Sequence, residues 1–152
     1  LVSLATHPAH AALIAAQRPE LMCHGVESAV DLAPLLARAT VVAVGPGLGQ
    51  GEWSRRLWAA VREAPQAQVV DADGLNLLAA DPDRRDLRIL TPHPGEAARL
   101  LGTDTASLHR DRFAAAAALV ERYGGVALLK GAGTLVAGGD DLLAVVRGGN
   151  PG

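Results

Sequence analysis

Short runs rich in Val and Leu alternate with Ala-rich stretches along this sequence, and this alternation restricts the possible fold more than any other feature. The apolar runs, such as residues 40–44 and 126–130, are typical of strands that are buried in a sheet. The Ala-rich stretches, such as residues 108–123, are typical of helices that cover a sheet. Strands that alternate with helices predict βαβ units and a largely parallel sheet, which is the α/β class.

The predicted elements run in alternation through the chain. Predicted strands cover residues 1–5, 19–24, 40–44, 68–71, 87–90 and 126–130, and predicted helices cover residues 8–17, 31–39, 52–63, 74–80, 95–101 and 108–123. Two further strands, 134–137 and 142–146, flank the turn Gly138-Gly139-Asp140-Asp141 and predict a terminal β-hairpin. We expect residues 1–152 to form a single domain, truncated at both ends, because the chain starts within a strand and stops in a turn.

Composition argues against several classes of partner. Apolar residues make up 49% of the chain and charged residues 20%, as in a soluble globular protein. A net charge of -2 gives no electrostatic reason to expect nucleic acid or a membrane as partner. No apolar run approaches the ~20 residues that span a bilayer. The one cysteine, Cys23, can form no internal disulfide and is typical of a reducing compartment, so we expect a cytoplasmic enzyme.

Four polar segments follow predicted parallel strands, at the edge where open α/β sheets bind their ligands. The first is Gly45-Pro46-Gly47-Leu48-Gly49-Gln50-Gly51, which leads into a helix. Closely spaced glycines let backbone amides approach an anion, and the helix N-terminus adds its positive dipole. The segment is not a dinucleotide fingerprint, because Gln50 and Glu52 stand where that motif needs glycine. A tight turn without a ligand is the alternative.

Two acidic residues, Asp71 and Asp73, form the second segment, between a strand end and the start of a helix. Such a pair can orient a metal-bound water or a hydroxyl group of a ligand. Asp73 is also well placed to cap the helix, and we favour capping as its role. Asp71, at the strand tip, is the better functional candidate.

The third segment is Thr91-Pro92-His93-Pro94-Gly95-Glu96. Its two prolines hold His93 in an extended loop, which favours a functional histidine over a structural one. Glu96 follows in the first turn of a helix. There it either complements the helix dipole or holds water around Mg²⁺ through an oxygen ligand.

The fourth segment begins with Lys130, which ends an apolar strand and precedes Gly131-Ala132-Gly133-Thr134. The ammonium group and the amides of this small-residue loop can bind a nucleotide phosphate. The segment is not a P-loop, because the lysine precedes the glycines. Alternatively, Gly131 and Gly133 only shape the entry to the hairpin.

Together these segments resemble successive signatures of the ADP-dependent NAD(P)H-hydrate dehydratases. The resemblance covers nearly the whole chain, and its signatures are Gly45-Pro46-Gly47-Leu48-Gly49, Asp71-Ala72-Asp73-Gly74-Leu75-Asn76, Leu90-Thr91-Pro92-His93-Pro94-Gly95-Glu96, Leu129-Lys130-Gly131-Ala132-Gly133-Thr134 and Asn150-Pro151-Gly152. It implies a ribokinase-like three-layer α/β/α fold. It also implies a repair reaction, in which ADP or ATP with Mg²⁺ phosphorylates the hydroxyl of (S)-NADHX or (S)-NADPHX and loss of phosphate restores NAD(P)H.

The resemblance also implies roles for individual residues. It assigns the AMP part of the nucleotide to Lys130, Gly131, Ala132, Gly133 and Thr134. It assigns the hydrated substrate to Gly49 and His93, and to these we add Gly47 of the same loop and Asp71 at its strand tip. It assigns the metal to Glu96, although His93 replaces the Asn that related sugar kinases carry. The catalytic Asp of the family is expected beyond Gly152, so we assign no catalytic residue and expect residues 1–152 alone to be inactive.

Partners and rival functions complete the expectations. The family is often fused to an NAD(P)H-hydrate epimerase domain, and we expect a homo-oligomer. A small-molecule hydroxyl kinase of the same fold, such as a vitamin-precursor kinase, is the nearest rival, and it would keep its phosphorylated product. A non-catalytic nucleotide-binding module is the alternative from another class.

Overall fold

The structure is a computed structural model that describes residues 2–139, 143–146 and 148. The chain divides into two compact units, one of Leu1–Val42 with Gln50–Gln66 and the other of Ala43–Gly49 with Ala67–Gly152. Several expectations concern positions outside the described residues: Leu1 of the first strand, Asp140 and Asp141 of the hairpin turn, Leu142, and the segment Asn150-Pro151-Gly152.

The first unit contains two parallel strands and three helices. Its elements are β1 (Ser3–Thr6), α1 (Pro8–Gln17), β2 (Met22–Gly25), α2 (Ala29–Leu36), the first half of β3 (Val41–Val44) and α3 (Glu52–Glu63). The predictions for α1 and α3 are confirmed to the residue. The second helix begins two residues earlier than predicted because Ser28 and Asp31 form a capping box that starts it at Ala29.

The second unit contains most of the six-stranded sheet. Its further elements are β4 (Ala67–Val70), α4 (Ala72–Ala80), β5 (Arg88–Leu90), α5 (Pro94–Leu101), α6 (Thr105–Arg110), α7 (Arg112–Tyr123), β6 (Val126–Leu129), β7 (Thr134–Ala137) and β8 (Leu143–Val146). The strand order is β3-β4-β5-β6-β7-β8. The pairs β4–β5 and β5–β6 are parallel, whereas β6–β7 and β7–β8 are antiparallel, which confirms the predicted parallel sheet and terminal hairpin.

The long predicted helix over residues 108–123 is wrong. Two helices, α6 and α7, stand there and are separated at Asp111, whose φ of -146° is extended. The Asp111 carboxylate accepts a hydrogen bond from the amide of Ala114 at 2.9 Å and so caps a new helix. An aspartate side chain that bonds to nearby backbone amides competes with helix continuation, and this local effect outweighs the helical preference of the flanking alanines.

Helix α7 packs against β6 and β7, and α5 packs against both α4 and α7. Val70, Leu90 and Leu129 are fully buried in the strands. Tyr123 at the end of α7 is also fully buried, and its hydroxyl donates to the carbonyl of Leu100 at 2.7 Å. This packing holds the carboxyl ends of the strands in place for the site below. No helix in the described part of the chain has the length and apolar character needed to cross a membrane.

Candidate functional site

Three of the predicted polar segments meet at one edge of the sheet in the second unit. Asp71 follows β4, Thr91 follows β5 and Lys130 follows β6. Backbone hydrogen bonds join the successive strand ends: the amide of Thr91 donates to Val70 at 3.1 Å, and the amide of Lys130 donates to Pro92 at 2.9 Å. The parallel register thus brings together polar groups that lie up to 59 residues apart in the sequence.

These strand ends line a cleft of about 490 Å³. Its size lies in the range of small-molecule sites. The polar side chains among its lining residues are those of Asp71, Thr91, Lys130 and Thr134. The apolar lining residues are Ala43, Val44, Pro46, Val69 and Leu128.

Asp71 and Lys130, both in the lining of the cleft, form an ion pair. The Lys130 Nζ donates to Asp71 Oδ1 at 2.8 Å, and the same oxygen accepts the amide of Ala72 at 2.9 Å. The side chains are 32% and 42% exposed, respectively, so a ligand can reach both charges. Lys130 is also the one lysine of the sequence, since every other basic side chain besides histidine is arginine. A compact ammonium group is therefore specific to this position.

The pKa of Asp71 lies below its ordinary value of 3.8. Burial raises it, but the hydrogen bonds from Lys130 and the Ala72 amide, together with the Lys130 charge, lower it by more. Asp71 is therefore ionised at neutral pH and is a weak base. Such a carboxylate suits the positioning of charge or water better than proton abstraction.

We expect Lys130→Met to raise the pKa of Asp71, because the favourable ammonium group is lost and the burial remains. In the native protein the lowered pKa of Asp71 stabilises the fold at pH values above about 3.8, the ordinary pKa of the group. This stabilisation is lost as the pH falls from there through the lowered pKa of the folded state. The variant should lack this stabilisation at neutral pH. A carbon-13 NMR titration of the Asp71 carboxyl measures the change, and an unaltered titration would show that the ion pair does not form in solution.

The N-cap of α4 is Asp71, so the capping role predicted for Asp73 is wrong. Asp71 already has the extended backbone of a cap, which moves the helix start to Ala72 and leaves Asp73 in the first turn. From there the Asp73 Oδ2 accepts the amide of Gly49 at 2.9 Å. This bond ties the glycine segment to α4, a link that the sequence alone does not indicate.

The glycine segment approaches the backbone of Asp71 very closely at Gly45. Its φ is +131°, and a Cβ atom on Gly45 would lie 1.7 Å from the Asp71 carbonyl oxygen. Gly47 has a φ of +69° but no atom within 4 Å of such a Cβ. Gly45 is therefore required by contact as well as by conformation, and Gly47 by conformation alone.

His93 is the N-cap of α5, and Glu96 completes its capping box. The His93 Nδ1 accepts the amide of Gly95 at 3.0 Å, and the Glu96 carboxylate accepts the amide of His93 at 2.8 Å. Because Nδ1 is an acceptor, the neutral imidazole carries its proton on Nε2, which lies 3.4 Å from Glu96 Oε1. The His93 side chain is 56% exposed, whereas that of Glu96 is 9% exposed. His93 thus combines a local structural bond with a largely exposed imidazole whose Nε2 faces Glu96.

The predicted site residues separate into two groups. Asp71, Lys130 and Thr134 line the cleft. The others lie on the loops and helix starts that follow the strands: Gly47, Gly49, His93, Glu96, Gly131, Ala132 and Gly133. Sequence reasoning missed Arg112, which contacts the loop after β6 although it precedes that loop by about twenty residues. No spacing in the sequence indicates that contact.

Comparison with known proteins finds a matching family model and relatives whose names describe NAD(P)H-hydrate repair. A family model described as NAD(P)H-hydrate dehydratase matches residues 1–152. The bifunctional NAD(P)H-hydrate repair enzyme Nnr of Coxiella burnetii is 51% identical over 152 residues, which cover 100% of this chain and 31% of that protein. The chain thus spans about a third or less of the length of the bifunctional bacterial repair enzymes it matches.

Solved structures agree in fold. A ribokinase-like superfamily protein from Enterococcus faecalis has a TM-score of 0.84 at 23% identity, with 99% of this chain and 54% of that chain covered. The ADP/ATP-dependent NAD(P)H-hydrate dehydratase of Bacillus subtilis, co-crystallised with ATP/Mg²⁺, has a TM-score of 0.74 at 27% identity, with 97% of this chain and 53% of that chain covered. The predicted ribokinase-like, three-layer α/β/α class with a mostly parallel sheet is confirmed. The chain belongs to the NAD(P)H-hydrate dehydratase family.

Proposed function

We propose that the protein is an ADP- or ATP-dependent (S)-NAD(P)H-hydrate dehydratase, a hydro-lyase that repairs hydrated nicotinamide coenzymes. The observation that carries the proposal is the Asp71–Lys130 ion pair, which lies in a cleft at the strand ends of a chain from this family. In the reaction, the terminal phosphoryl group of the nucleotide passes to the ring hydroxyl of the hydrate. The C–O bond then breaks as a ring proton leaves, which releases inorganic phosphate and restores NAD(P)H.

We assign the nucleotide to the fourth segment. The Lys130 ammonium supplies a positive charge, and the amides of the loop after β6 supply hydrogen-bond donors for an anion. The Thr134 hydroxyl, in the cleft lining, donates to the Gly131 carbonyl at 3.5 Å and can rotate to donate to a phosphate oxygen instead. The nucleotide-binding residues in this proposal are Lys130, Gly131, Ala132, Gly133 and Thr134.

We assign the hydrated coenzyme to the glycine segment and to His93. Gly47 and Gly49 allow close approach of a substrate to the backbone. The His93 side chain is 56% exposed, so its Nε2 can donate to a substrate oxygen in place of Glu96. The Asp71 carboxylate, which stays ionised at neutral pH, orients a substrate hydroxyl or a water molecule. The substrate-binding residues in this proposal are Gly47, Gly49, Asp71 and His93.

Mg²⁺ would enter with the nucleotide phosphates and neutralise their charge. The described residues contain no cluster of three or more His, Cys, Asp or Glu side chains that could hold a metal. This fits a Mg²⁺ that keeps most of its waters and binds through phosphates and one or two carboxylates. Glu96 is the residue that we assign to its water shell, because the capping bond to His93 uses only part of the acceptor capacity of the carboxylate.

The wider setting forms part of the same proposal. Residues 1–152 would act as one ribokinase-like domain of a cytoplasmic homo-oligomer. An epimerase domain fused to it is supported by the name of the Coxiella burnetii relative, a bifunctional NAD(P)H-hydrate repair enzyme. Sedimentation of the intact protein measures the oligomeric state directly.

The experiment that tests the function uses the intact protein and separated epimers of NADHX. With Mg²⁺ and ADP or ATP present, we expect the absorbance of NADH to return directly from the S epimer, and from the R epimer only as fast as it is converted to the S epimer. Reactions without nucleotide should give no NADH. Failure to recover NADH from the S epimer with either nucleotide would contradict the proposal.

We expect His93→Ala to lower turnover of NADHX about tenfold or more, because it removes a substrate hydrogen bond. Loss of the helix cap should also cost about 1 kcal/mol of stability. His93→Asn is the matched control, since asparagine caps helices well and should restore the melting temperature while turnover stays low. Wild-type turnover in His93→Asn would mean that His93 only caps the helix.

A further inference from the structure

Arg112 forms several hydrogen bonds with the backbone of the loop between β6 and β7. Its Nη1 donates to the carbonyl of Ala132 at 2.9 Å. Its Nη2 lies within hydrogen-bonding distance of three more carbonyls, those of Leu129 at 3.2 Å, Lys130 at 3.4 Å and Gly133 at 3.1 Å. One guanidinium group thus holds four of the five carbonyls from residue 129 to residue 133.

Peptide geometry determines what this does to the amides. In a trans peptide unit the C=O and N–H bonds point in opposite directions, and the described chain contains no cis peptide bond. The carbonyls of Lys130 and Ala132 point toward Arg112, so the amides of Gly131 and Gly133 point away from it. Within the described residues, neither amide donates a hydrogen bond to another backbone group.

The location of Arg112 is not explained by its own helix. It is the first residue of α7, where the helix dipole disfavours a cation. Asp111 caps this helix and so fixes the backbone from which the arginine extends. The hydrogen bonds from Arg112 to the loop carbonyls offset this unfavourable position at the helix start.

Gly131 and Arg112 also fit each other sterically. The φ of Gly131 is +148°, and a Cβ atom there would lie 2.9 Å from Arg112 Nη2. A side chain at position 131 would therefore displace the guanidinium group. The close approach of guanidinium and loop requires both residues.

We propose that Arg112 is a positioning residue for nucleotide binding. It holds the loop carbonyls toward its own guanidinium group and so presents the amides of Gly131 and Gly133 to a phosphate group on the other side of the loop. This inference rests on the proposed nucleotide site at Lys130–Thr134. A loop held in its binding conformation before the ligand arrives avoids the ordering cost at binding.

The test compares ADP affinity, by calorimetry, and steady-state kinetics for the intact wild-type protein, Arg112→Gln, Arg112→Lys and Lys130→Met. Arg110→Gln is the matched control, because Arg110 is exposed and contacts only Ser107 among the hydrogen-bond partners described. We expect Arg112→Gln to raise the Kd for ADP and the KM for nucleotide about tenfold or more, with the KM for NADHX within about twofold of wild type. Arg112→Lys should recover part of the affinity, since an ammonium keeps the charge but not the planar fork.

The outcomes separate this inference from the function on which it rests. No ADP binding by the wild type would overturn the nucleotide site itself. Weaker binding in Lys130→Met with wild-type affinity in a folded Arg112→Gln would overturn only the role of Arg112. If Arg112→Gln does not fold, Arg112→Lys decides: a Kd about threefold or more above wild type supports the role, and a smaller change overturns it.

Discussion

Gly45→Ala is expected to lower the free energy of unfolding by about 3–5 kcal/mol, the largest stability effect of any substitution considered for this site. The added Cβ would lie 1.7 Å from the Asp71 carbonyl oxygen and 2.9 Å from the Gly74 amide nitrogen, so the backbone itself must move. The φ of +131° adds conformational strain for any residue with a side chain. For a domain of this size the melting temperature should fall by roughly 6–20 °C.

Gly47→Ala is the matched control for this effect. It places the same side chain in the same loop at a φ of +69°, but with no atom within 4 Å of the new Cβ. Only the cost of a left-handed residue applies there, about 1–2 kcal/mol. Denaturant unfolding of both variants measures the difference. Equal destabilisation would show that the close approach of Gly45 to Asp71 is absent in solution.

Lys130→Met is expected to weaken ADP binding about 10- to 150-fold, equivalent to about 1.5–3 kcal/mol for a charge-assisted contact with phosphate. Methionine keeps much of the length and apolar character of the lysine stem and removes the charge. Titration calorimetry of the intact protein gives the affinity. Lys130→Arg should bind more tightly than Lys130→Met but less tightly than wild type, because a guanidinium fork does not reproduce a compact ammonium group.

A double variant separates nucleotide contact from damage to the ion pair. Lys130→Met leaves the Asp71 carboxylate without the partner that it contacts at 2.8 Å. Lys130→Met combined with Asp71→Asn removes that unpaired charge and keeps a residue suited to helix capping. The account predicts that ADP binding remains weak in the double variant. Recovery of wild-type affinity would mean that Lys130 serves the fold and does not contact the nucleotide.

The sheet and its binding edge could be predicted because the same local pattern recurs along the sequence: an apolar run is followed by polar or glycine-rich residues. Lys130 and Asp71 each follow an apolar run, and parallel pairing brings such residues to one edge. The direct contact between them could not be predicted. It depends on the register of β4, β5 and β6, which the local residue pattern does not specify.

The errors arose where aspartates compete for helix starts. Asp71 and Asp73 are both suitable caps, and propensity alone does not decide between them. Asp71 takes that role because the strand ends immediately before it, which leaves Asp73 free to accept the amide of Gly49. Asp111 similarly interrupts a stretch whose alanines favour one helix. This interruption makes Arg112 the first residue of α7. Its contact with the loop is a tertiary feature that the local sequence does not indicate.

The most direct test of the account measures NADH and inorganic phosphate in the same reaction of the intact protein with (S)-NADHX, ADP and Mg²⁺. Phosphorylation followed by elimination requires one phosphate and one AMP for each NADH formed, with no lasting phosphorylated hydrate. We predict this equal stoichiometry, and in Lys130→Met we predict that the rates of NADH and phosphate formation fall together. A stable phosphorylated product without NADH, as a hydroxyl kinase would give, would contradict the account, and so would NADH formed without nucleotide consumption.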